Sequence, residues 1–273
     1  MNIFTVKGEE KSSYKISREK YEEVTKKDKV YFRDDGKHYA LCPACLNPIY
    51  LVNIYNNEEH EKGTRRQTQH GRHIPKSFAG LAEYNKQAYD NCPLGNPKAF
   101  GIEGKRRNKQ ECNEIIEIIN NNKDLLLKYI RNITGIYFSN SLLNKLLDYF
   151  KDVKGEYYEY INIYNLPYSF LYMQRKINIF GQWLKYNTIG DEIKKAIQKK
   201  SKSYEIKNNK ITKIPGTKYA QLSLALFEHK IYKDGKQSIE VRIYEEIDKN
   251  ESIIFKKTIL IDMGSFISEV ERK

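Results

Sequence analysis

Long apolar runs are missing from this sequence. No stretch reaches the roughly 18 to 20 apolar residues that a membrane-spanning helix needs, and the mean hydropathy is -0.73. The first seven residues also lack the apolar segment of a secretory signal peptide. We therefore expect a cytoplasmic protein that does not enter a membrane.

The common catalytic motifs are missing as well. The sequence contains no P-loop, no glycine-rich dinucleotide fingerprint, no G-x-S-x-G and no H-E-x-x-H. The zinc-deaminase signature is not met, because proline does not precede Cys42 and neither His70 nor His73 is followed by glutamate two positions later. These absences argue against the enzyme classes that depend on those motifs.

Cysteine is scarce, with four in 273 residues: Cys42, Cys45, Cys92 and Cys112. In a cytoplasmic chain, a C-x2-C pair indicates metal binding or redox chemistry rather than a disulfide framework. The redox alternative requires a helix that starts at the first cysteine, whereas Pro48 and the apolar run after it favour a strand. Cys112 opens a predicted helix after a basic segment, and we interpret it as a core cysteine.

The C-x2-C pair has further candidate metal ligands downstream. Cys92 precedes a proline in a predicted turn, and His70 and His73 lie in a short H-x-x-H element. Cysteine thiolates and one imidazole form a common tetrahedral zinc site. We predict that Zn²⁺ is bound by Cys42, Cys45, Cys92 and His73. His70 remains an alternative ligand, although the Ile-Pro pair after His73 would fix the backbone there.

Residues 39–92 resemble the zinc-ribbon-like N-terminal module of competence-protein CoiA-like proteins. The matching positions are Cys42, Cys45, His70, His73 and Cys92. In that family a nuclease-like domain follows the module, but its acidic metal-binding motif has no counterpart downstream in this chain. The resemblance implies a DNA-related role in a bacterial or mobile-element setting, such as phage defence or counter-defence.

The charge balance is strongly basic, with 48 lysines and arginines against 35 acidic residues and a net charge of +13. A basic surface of this size is typical of nucleic-acid-binding proteins, although the lysine-rich composition also allows a merely solvated surface. Arginine is rarer than lysine, yet five of the eleven arginines lie between residues 65 and 107. Our candidate phosphate-binding residues are Arg65, Arg66, Arg72, Lys76, Lys105, Arg106, Arg107 and Lys109.

Hydrophobic periodicity predicts an α+β fold in three stretches. Residues 1–108 form the zinc-ribbon-like module, with strands at 29–33, 38–41 and 49–54 and a helix at 77–89. Residues 109–201 form a helical region, with helices at 112–134 (interrupted at 120–122), 141–150, 168–184 and 191–200. Residues 202–273 form an antiparallel β-meander, with strands at 221–226, 238–243 and 252–261 and a short helix from Ser265.

These observations leave three functions open. The first is a zinc-stabilised protein that binds nucleic acid without catalysis. The second is a metal-dependent nuclease of the HNH type that uses His70, His73 and Asn85 or Asn91. The third is a non-catalytic interaction module or inhibitor that binds a protein complex.

Overall fold

The computed structural model describes residues 1–55, 69–106, 108–217 and 219–272. This part of the chain is a mixed α+β protein with eight α-helices and antiparallel sheets. None of the helices in these ranges has the length and apolar character needed to cross a membrane. The chain divides into two compact units, Met1–Lys98 with Asp262–Lys273 and Ala99–Ile261. These units and the three predicted stretches divide the chain at different residues.

The helices and strands are numbered in chain order. The helices are α1 (Arg18–Thr25), α2 (Lys86–Asp90), α3 (Lys109–Asn121), α4 (Lys123–Thr134), α5 (Asn140–Asp152), α6 (Leu166–Met173), α7 (Ile189–Lys200) and α8 (Ser265–Val270). The strands are β1 (Ile3–Phe4), β2 (Tyr14–Lys15), β3 (Tyr39–Leu41), β4 (Pro48–Val52), β5 (His70–His73), β6 (Ile136–Tyr137), β7 (Ile177–Asn178), β8 (Trp183–Leu184), β9 (Tyr204–Lys207), β10 (Lys210–Lys213), β11 (Ala220–Ile231), β12 (Gln237–Ile247) and β13 (Asn250–Leu260).

The first unit is built on a three-stranded antiparallel sheet in the order β3-β4-β5. The fully buried Tyr21 of α1 braces it, because its hydroxyl donates to the carbonyl of Tyr39 at 2.8 Å. The strand predicted at 29–33 is wrong. Asp28 instead starts a turn, in which its carboxylate accepts from the amide of Val30 and its carbonyl accepts from the amide of Tyr31.

The helix predicted at 77–89 is present only in its last part, as α2. Gly80 has a φ of 80°, a left-handed conformation that ends any helix and suits a turn. An isolated bridge joins Phe78 to Ala82 across that turn. Asn85 then caps α2, because its side chain accepts from the amide of Ala88 at 2.9 Å.

The segment after residue 261 belongs to the first unit. Helix α8 is tied to the loop before β2, where the hydroxyl of Ser268 donates to the carbonyl of Ser13 at 2.8 Å. The Ser13 amide in turn donates to the carboxylate of Glu271 at 2.6 Å. Phe266 is almost fully buried. The first unit is therefore made from two separate segments of the chain.

The second unit combines helices α3 to α7 with two four-stranded sheets, in the orders β13-β12-β11-β7 and β6-β8-β10-β9. The predicted strands at 221–226, 238–243 and 252–261 overlap β11, β12 and β13. Alternate residues of β12, such as Ile239, Val241 and Ile243, are fully buried. The helical run at 112–134 is interrupted at Asn122, between α3 and α4, as predicted.

The helix predicted at 168–184 is wrong beyond Met173. The chain forms β7, turns at Gly181 with a φ of 79°, and then forms β8. Pairing of β7 with β11, and of β8 with β6 and β10, satisfies backbone groups that a helix would have bonded internally. The hairpin of β9 and β10 was not predicted, although Asn208 and Asn209 at its turn have φ values of 48° and 62°, the left-handed conformations that asparagine tolerates.

Candidate metal centre

Four side chains from different parts of the first unit meet at one point. Cys42 follows β3, Cys45 lies in the turn before β4, His73 ends β5 and Cys92 follows α2. Their sulfur and ring-nitrogen atoms all lie within 4.8 Å of one another. Cys42 and Cys92 are buried, and Cys45 and His73 are partly buried. The group that we predicted from the sequence is therefore brought together.

The distances between the ligand atoms suit a metal ion with tetrahedral coordination. The Cys42 Sγ to Cys92 Sγ distance is 3.6 Å, Cys45 Sγ to His73 Nε2 is 3.3 Å, and Cys92 Sγ to His73 Nε2 is 3.7 Å. An ion bound to sulfur at about 2.3 Å and to nitrogen at about 2.0 Å separates its ligands by roughly 3.5 to 3.8 Å. The four donors can thus hold a metal ion with little rearrangement.

The turn between β3 and β4 aims the first two sulfurs. The Cys42 carbonyl accepts from the amide of Leu46 at 2.8 Å, and the Cys42 amide donates to the carbonyl of Asn47 at 2.9 Å. Leu46 closes the turn with a φ of 56°. These bonds fix the backbone on both sides of Cys45, so both thiol side chains point to the same side of the turn.

Asn47 connects this turn to the segment that carries Cys92. Its amide nitrogen donates to Cys45 Sγ at 3.4 Å and to the carbonyl of Asn85 at 3.0 Å, and its side-chain oxygen accepts from the Asn85 amide at 2.6 Å. Asn85 begins α2, the helix that leads to Cys92. Sequence reasoning missed this residue, because an asparagine side chain is not a usual zinc ligand and nothing in the sequence marks its contacts.

Strand geometry separates the two histidines. Residues 70 to 73 form β5, in which side chains alternate between the two faces, so positions 70 and 73 point to opposite sides. His73 pairs with Ile49 on the buried face, and His70 pairs with Val52. His73 is the histidine in the metal-ligand group, and His70 lies outside that group. Had the segment been helical, the i, i+3 spacing would have placed both rings on one face.

The ring of His73 is held by its neighbours. It lies against Tyr89 of α2, with ring centroids 5.1 Å apart. A Cβ atom added at Gly95 would lie 3.0 Å from both the His73 and Tyr89 rings. A glycine at position 95 therefore leaves the space that the imidazole occupies.

The electrostatics of the cluster favour a cation. Burial raises the pKa of Cys42, and the hydrogen bonds that it makes to the other two thiols raise it further. Hydrogen bonds from Cys42 and Cys92 lower the pKa of Cys45 in spite of its burial. The pKa of Cys92 is raised to about 12, because the hydrogen bond with Cys42, which lowers it, is outweighed by the bond with Cys45 and by burial. A bound cation would offset the raised pKa values of Cys42 and Cys92, so that all three thiols could ionise together.

The candidate phosphate-binding residues lie in both units. Arg65, Arg66 and Arg107 fall outside the described residues. In the first unit Arg72 and Lys76 are exposed, and the Arg72 guanidinium lies 3.4 Å from the hydroxyl of Tyr50.

In the second unit the candidates differ in exposure. Lys105 and Lys109 are exposed. Arg106 is mostly buried, since its guanidinium pairs with Glu111 at 2.8 Å and donates to the carbonyl of Ile161 at 2.9 Å. Its side chain is committed to internal contacts. The Lys105 ammonium lies 5.5 Å from the centroid of the Tyr158 ring.

Comparison with protein families, with curated proteins and with solved structures finds no match to this chain.

Proposed function

We propose that this chain is a nucleic-acid-binding protein whose first unit is stabilised by one Zn²⁺ ion. The Cys3His cluster is the observation that carries the proposal. Three sulfurs and one imidazole nitrogen within 4.8 Å of one another favour zinc over the oxygen-preferring Mg²⁺ and Ca²⁺. Four protein ligands leave no coordination position for water, which suits a structural role better than a catalytic one. The resemblance of residues 39–92 to a zinc-ribbon-like module, which implies a DNA-related role, also supports this proposal.

The contact with nucleic acid is proposed at the outer side of the sheet that carries His73. Because side chains alternate along β5, Arg72 points away from the cluster while His73 points into it. The metal would therefore fix the strand from which the arginine projects. A guanidinium can bind a phosphate with two parallel hydrogen bonds, and the net charge of +13 supplies long-range attraction.

The presence and identity of the metal are tested by elemental analysis of protein purified without a histidine tag. We expect one zinc per chain in the unmodified protein and a loss of zinc in the Cys42→Ser and Cys92→Ser variants. Cys112→Ser is the matched control, because Cys112 is also buried but lies in α3, in the second unit. Equal zinc content in all four proteins would contradict the assigned ligands.

Nucleic-acid binding is tested by its salt dependence. Each phosphate contact that is lost should reduce the slope of log K against log salt by about 0.7 to 0.9. The double variant Arg72→Gln, Lys76→Gln should therefore bind more weakly and with a shallower slope. The double variant Lys233→Gln, Lys236→Gln, which removes two exposed lysines of the β11–β12 turn, is the charge-matched control. Binding that is unchanged between about 50 and 200 mM salt would overturn the proposal.

The two other functions make different demands on the cluster. An HNH-type nuclease needs a histidine that activates water, whereas Nε2 of His73 faces two sulfur atoms at 3.3 and 3.7 Å. A protein-interaction module predicts a partner whose affinity survives high salt. We favour nucleic-acid binding because the exposed arginine lies next to a ligand of the proposed zinc site.

A further inference from the structure

The small sheet of the second unit, β6-β8-β10-β9, has two unlike faces. Directly paired residues of neighbouring strands project from the same face. Tyr137 pairs with Trp183, Trp183 pairs with Lys210, and Lys210 pairs with Lys207. These four side chains therefore form one row that crosses all four strands, and we call this row the aromatic face.

Exposure separates this row from the opposite face. Tyr137 is 42% exposed and Trp183 is 48% exposed. Their neighbours along the same strands, Ile136 and Leu184, are buried, as is Ile211 of β10. The sheet thus packs one side into the core of the unit and presents two large aromatic rings to solvent on the other. Trp183 is also the only tryptophan in the chain.

Cations surround the two rings. The Lys210 ammonium lies 4.4 Å from the centroid of the Trp183 ring, and the Arg131 guanidinium lies 5.7 Å from that of Tyr137. Arg131 is held in place by two hydrogen bonds to the carbonyl of Phe138, the shorter at 2.8 Å. Lys207 forms an ion pair with Glu205 at 2.8 Å. Three cations against one carboxylate leave the face positively charged.

We propose that the aromatic face binds single-stranded nucleic acid, with bases stacked on Trp183 and Tyr137 and phosphates beside Arg131 and Lys210. Paired strands lie about 4.8 Å apart, so the two rings sit side by side on a fixed platform. Base stacking on exposed aromatic residues, combined with cations that follow the backbone, is how sequence-tolerant proteins hold single strands. The flexible Lys210 side chain can turn from the indole to a phosphate when a base takes its place.

The chemistry of the face selects this partner. An acidic peptide would use the cations but leave two aromatic rings in water. A duplex offers phosphates, but its bases already stack on one another and their flat surfaces are closed. A single strand offers an anionic backbone and open base surfaces together. This inference rests on the proposed nucleic-acid-binding function, and it adds a location in the second unit and a preference for single strands.

The first experiment uses the fluorescence of Trp183 in the unmodified chain. Titration with a single-stranded oligonucleotide should quench the emission, because a stacked base contacts the indole directly. A duplex with the same number of phosphates should quench it much less at the same salt concentration. Quenching by both to the same extent, or by neither although both bind, would overturn the aromatic face as the binding site.

The second experiment uses variants. Trp183→Ala should weaken single-strand binding roughly 5- to 150-fold, the range for loss of one stacked base, and leave duplex binding unchanged. Trp183→Phe should keep most of the affinity, because a smaller ring still stacks and a strand accepts phenylalanine. Tyr219→Ala is the control, since Tyr219 is more exposed than Trp183 but lies outside the row. A circular dichroism spectrum like that of the unmodified chain shows that each variant is folded.

The outcomes distinguish this inference from the function on which it rests. If the chain binds no nucleic acid of any kind, both fail. If single strands and duplexes bind equally and Trp183→Ala changes neither, the proposed function survives and the aromatic face is overturned. If Trp183 emission shifts with protein concentration alone, a second copy of the chain covers the face, and the proposal is also overturned.

Discussion

The two units of this chain are held together in different ways. In the first, the central strands have only three to five residues, and three of the four ligand atoms lie at or near the ends of these strands. In the second, β11, β12 and β13 have eleven or twelve residues and pair along their length, and β11 and β12 together bury more than half of their side chains. A short sheet cannot bury enough apolar surface for stability, so a metal cross-link is the expected supplement. The comparison leads us to expect that one unit depends on its metal and the other on its core.

Removal of the metal should produce the largest difference in stability between the two units. Structural zinc contributes on the order of 10 kcal/mol to the folding of small metal-binding modules. We expect a strong chelator to abolish amide protection in β3, β4 and β5 while β12 keeps its slow exchange, measured by hydrogen exchange with mass spectrometry. Equal protection of β3 to β5 with and without chelator would break the comparison.

A cavity in the core of the second unit should destabilise that unit and leave the metal site of the first unit intact. Phe170 of α6 is fully buried, and its ring centroid lies 5.3 Å from that of Phe150. Phe170→Ala should reduce the free energy of unfolding by about 3 to 5 kcal/mol without changing the metal content. Phe180→Ala removes a half-exposed ring of the same unit and should cost far less. Denaturant unfolding followed in parallel with zinc analysis checks both variants.

Variants of Asn47 test how strongly metal binding in the first unit depends on a residue that orients the ligands. Its amide group donates to Cys45 Sγ and also binds the backbone of Asn85. Loss of a residue that orients metal ligands typically weakens metal affinity 10- to 100-fold. Asn47→Ala should fall in that range in a competition assay with a chromophoric chelator.

Asn47→Asp should bind the metal more weakly still. It keeps an acceptor for the Asn85 amide, but it replaces the donor to Cys45 with a negative charge beside three thiolates. An affinity equal to that of the unmodified chain in both variants would show that the turn holds the ligands without Asn47.

The smallest effect expected is a pH dependence of the second unit. His229 stacks on Phe100, accepts from the Phe100 amide at 3.0 Å, and lies 2.8 Å from the side-chain oxygen of Gln237. Burial lowers its pKa from 6.5, against a smaller upward effect of Gln237. Below about pH 6.5 the unfolded chain therefore takes up the proton first, and stability is lost as the pH falls towards the lowered pKa, by at most about 1.4 kcal/mol per pH unit.

A matched variant isolates this titration. His229→Gln removes the proton-binding group but leaves the thiols of the metal cluster unchanged, so the difference from the unmodified chain cancels any acid-driven loss of metal. We expect that difference in unfolding free energy to decrease as the pH falls from 7 to 5. A difference that is constant over this range would contradict the assignment.

Much of the local structure follows from the sequence pattern. Strict alternation at 238–243 predicted a strand within β12, and the three asparagines at 120–122 predicted the break between α3 and α4. The helix predicted from the apolar run at 168–184 was wrong beyond Met173, because periodicity alone cannot distinguish a buried helix from short strands. Tertiary pairing of β7 and β8 decided the outcome there.

The candidate metal site was predictable in its residues but not in its geometry. The C-x2-C pair and the later cysteine are visible in the sequence, and the four predicted ligands lie together. The choice between His70 and His73 required the backbone of residues 70–73, since a strand separates the two side chains and a helix would not. Asn47 and Gly95 have no ligand chemistry of their own, so only the three-dimensional arrangement shows what they do for the cluster.

The placement of α8 has a consequence for how the protein is made. Synthesis proceeds from the N-terminus, so every strand of the second unit leaves the ribosome before Ser268 and Glu271, the residues that hold Ser13. The first unit begins to be translated first but is completed last. A nascent chain that stops before Asp262 would carry a full set of metal ligands on a unit that still lacks its final helix.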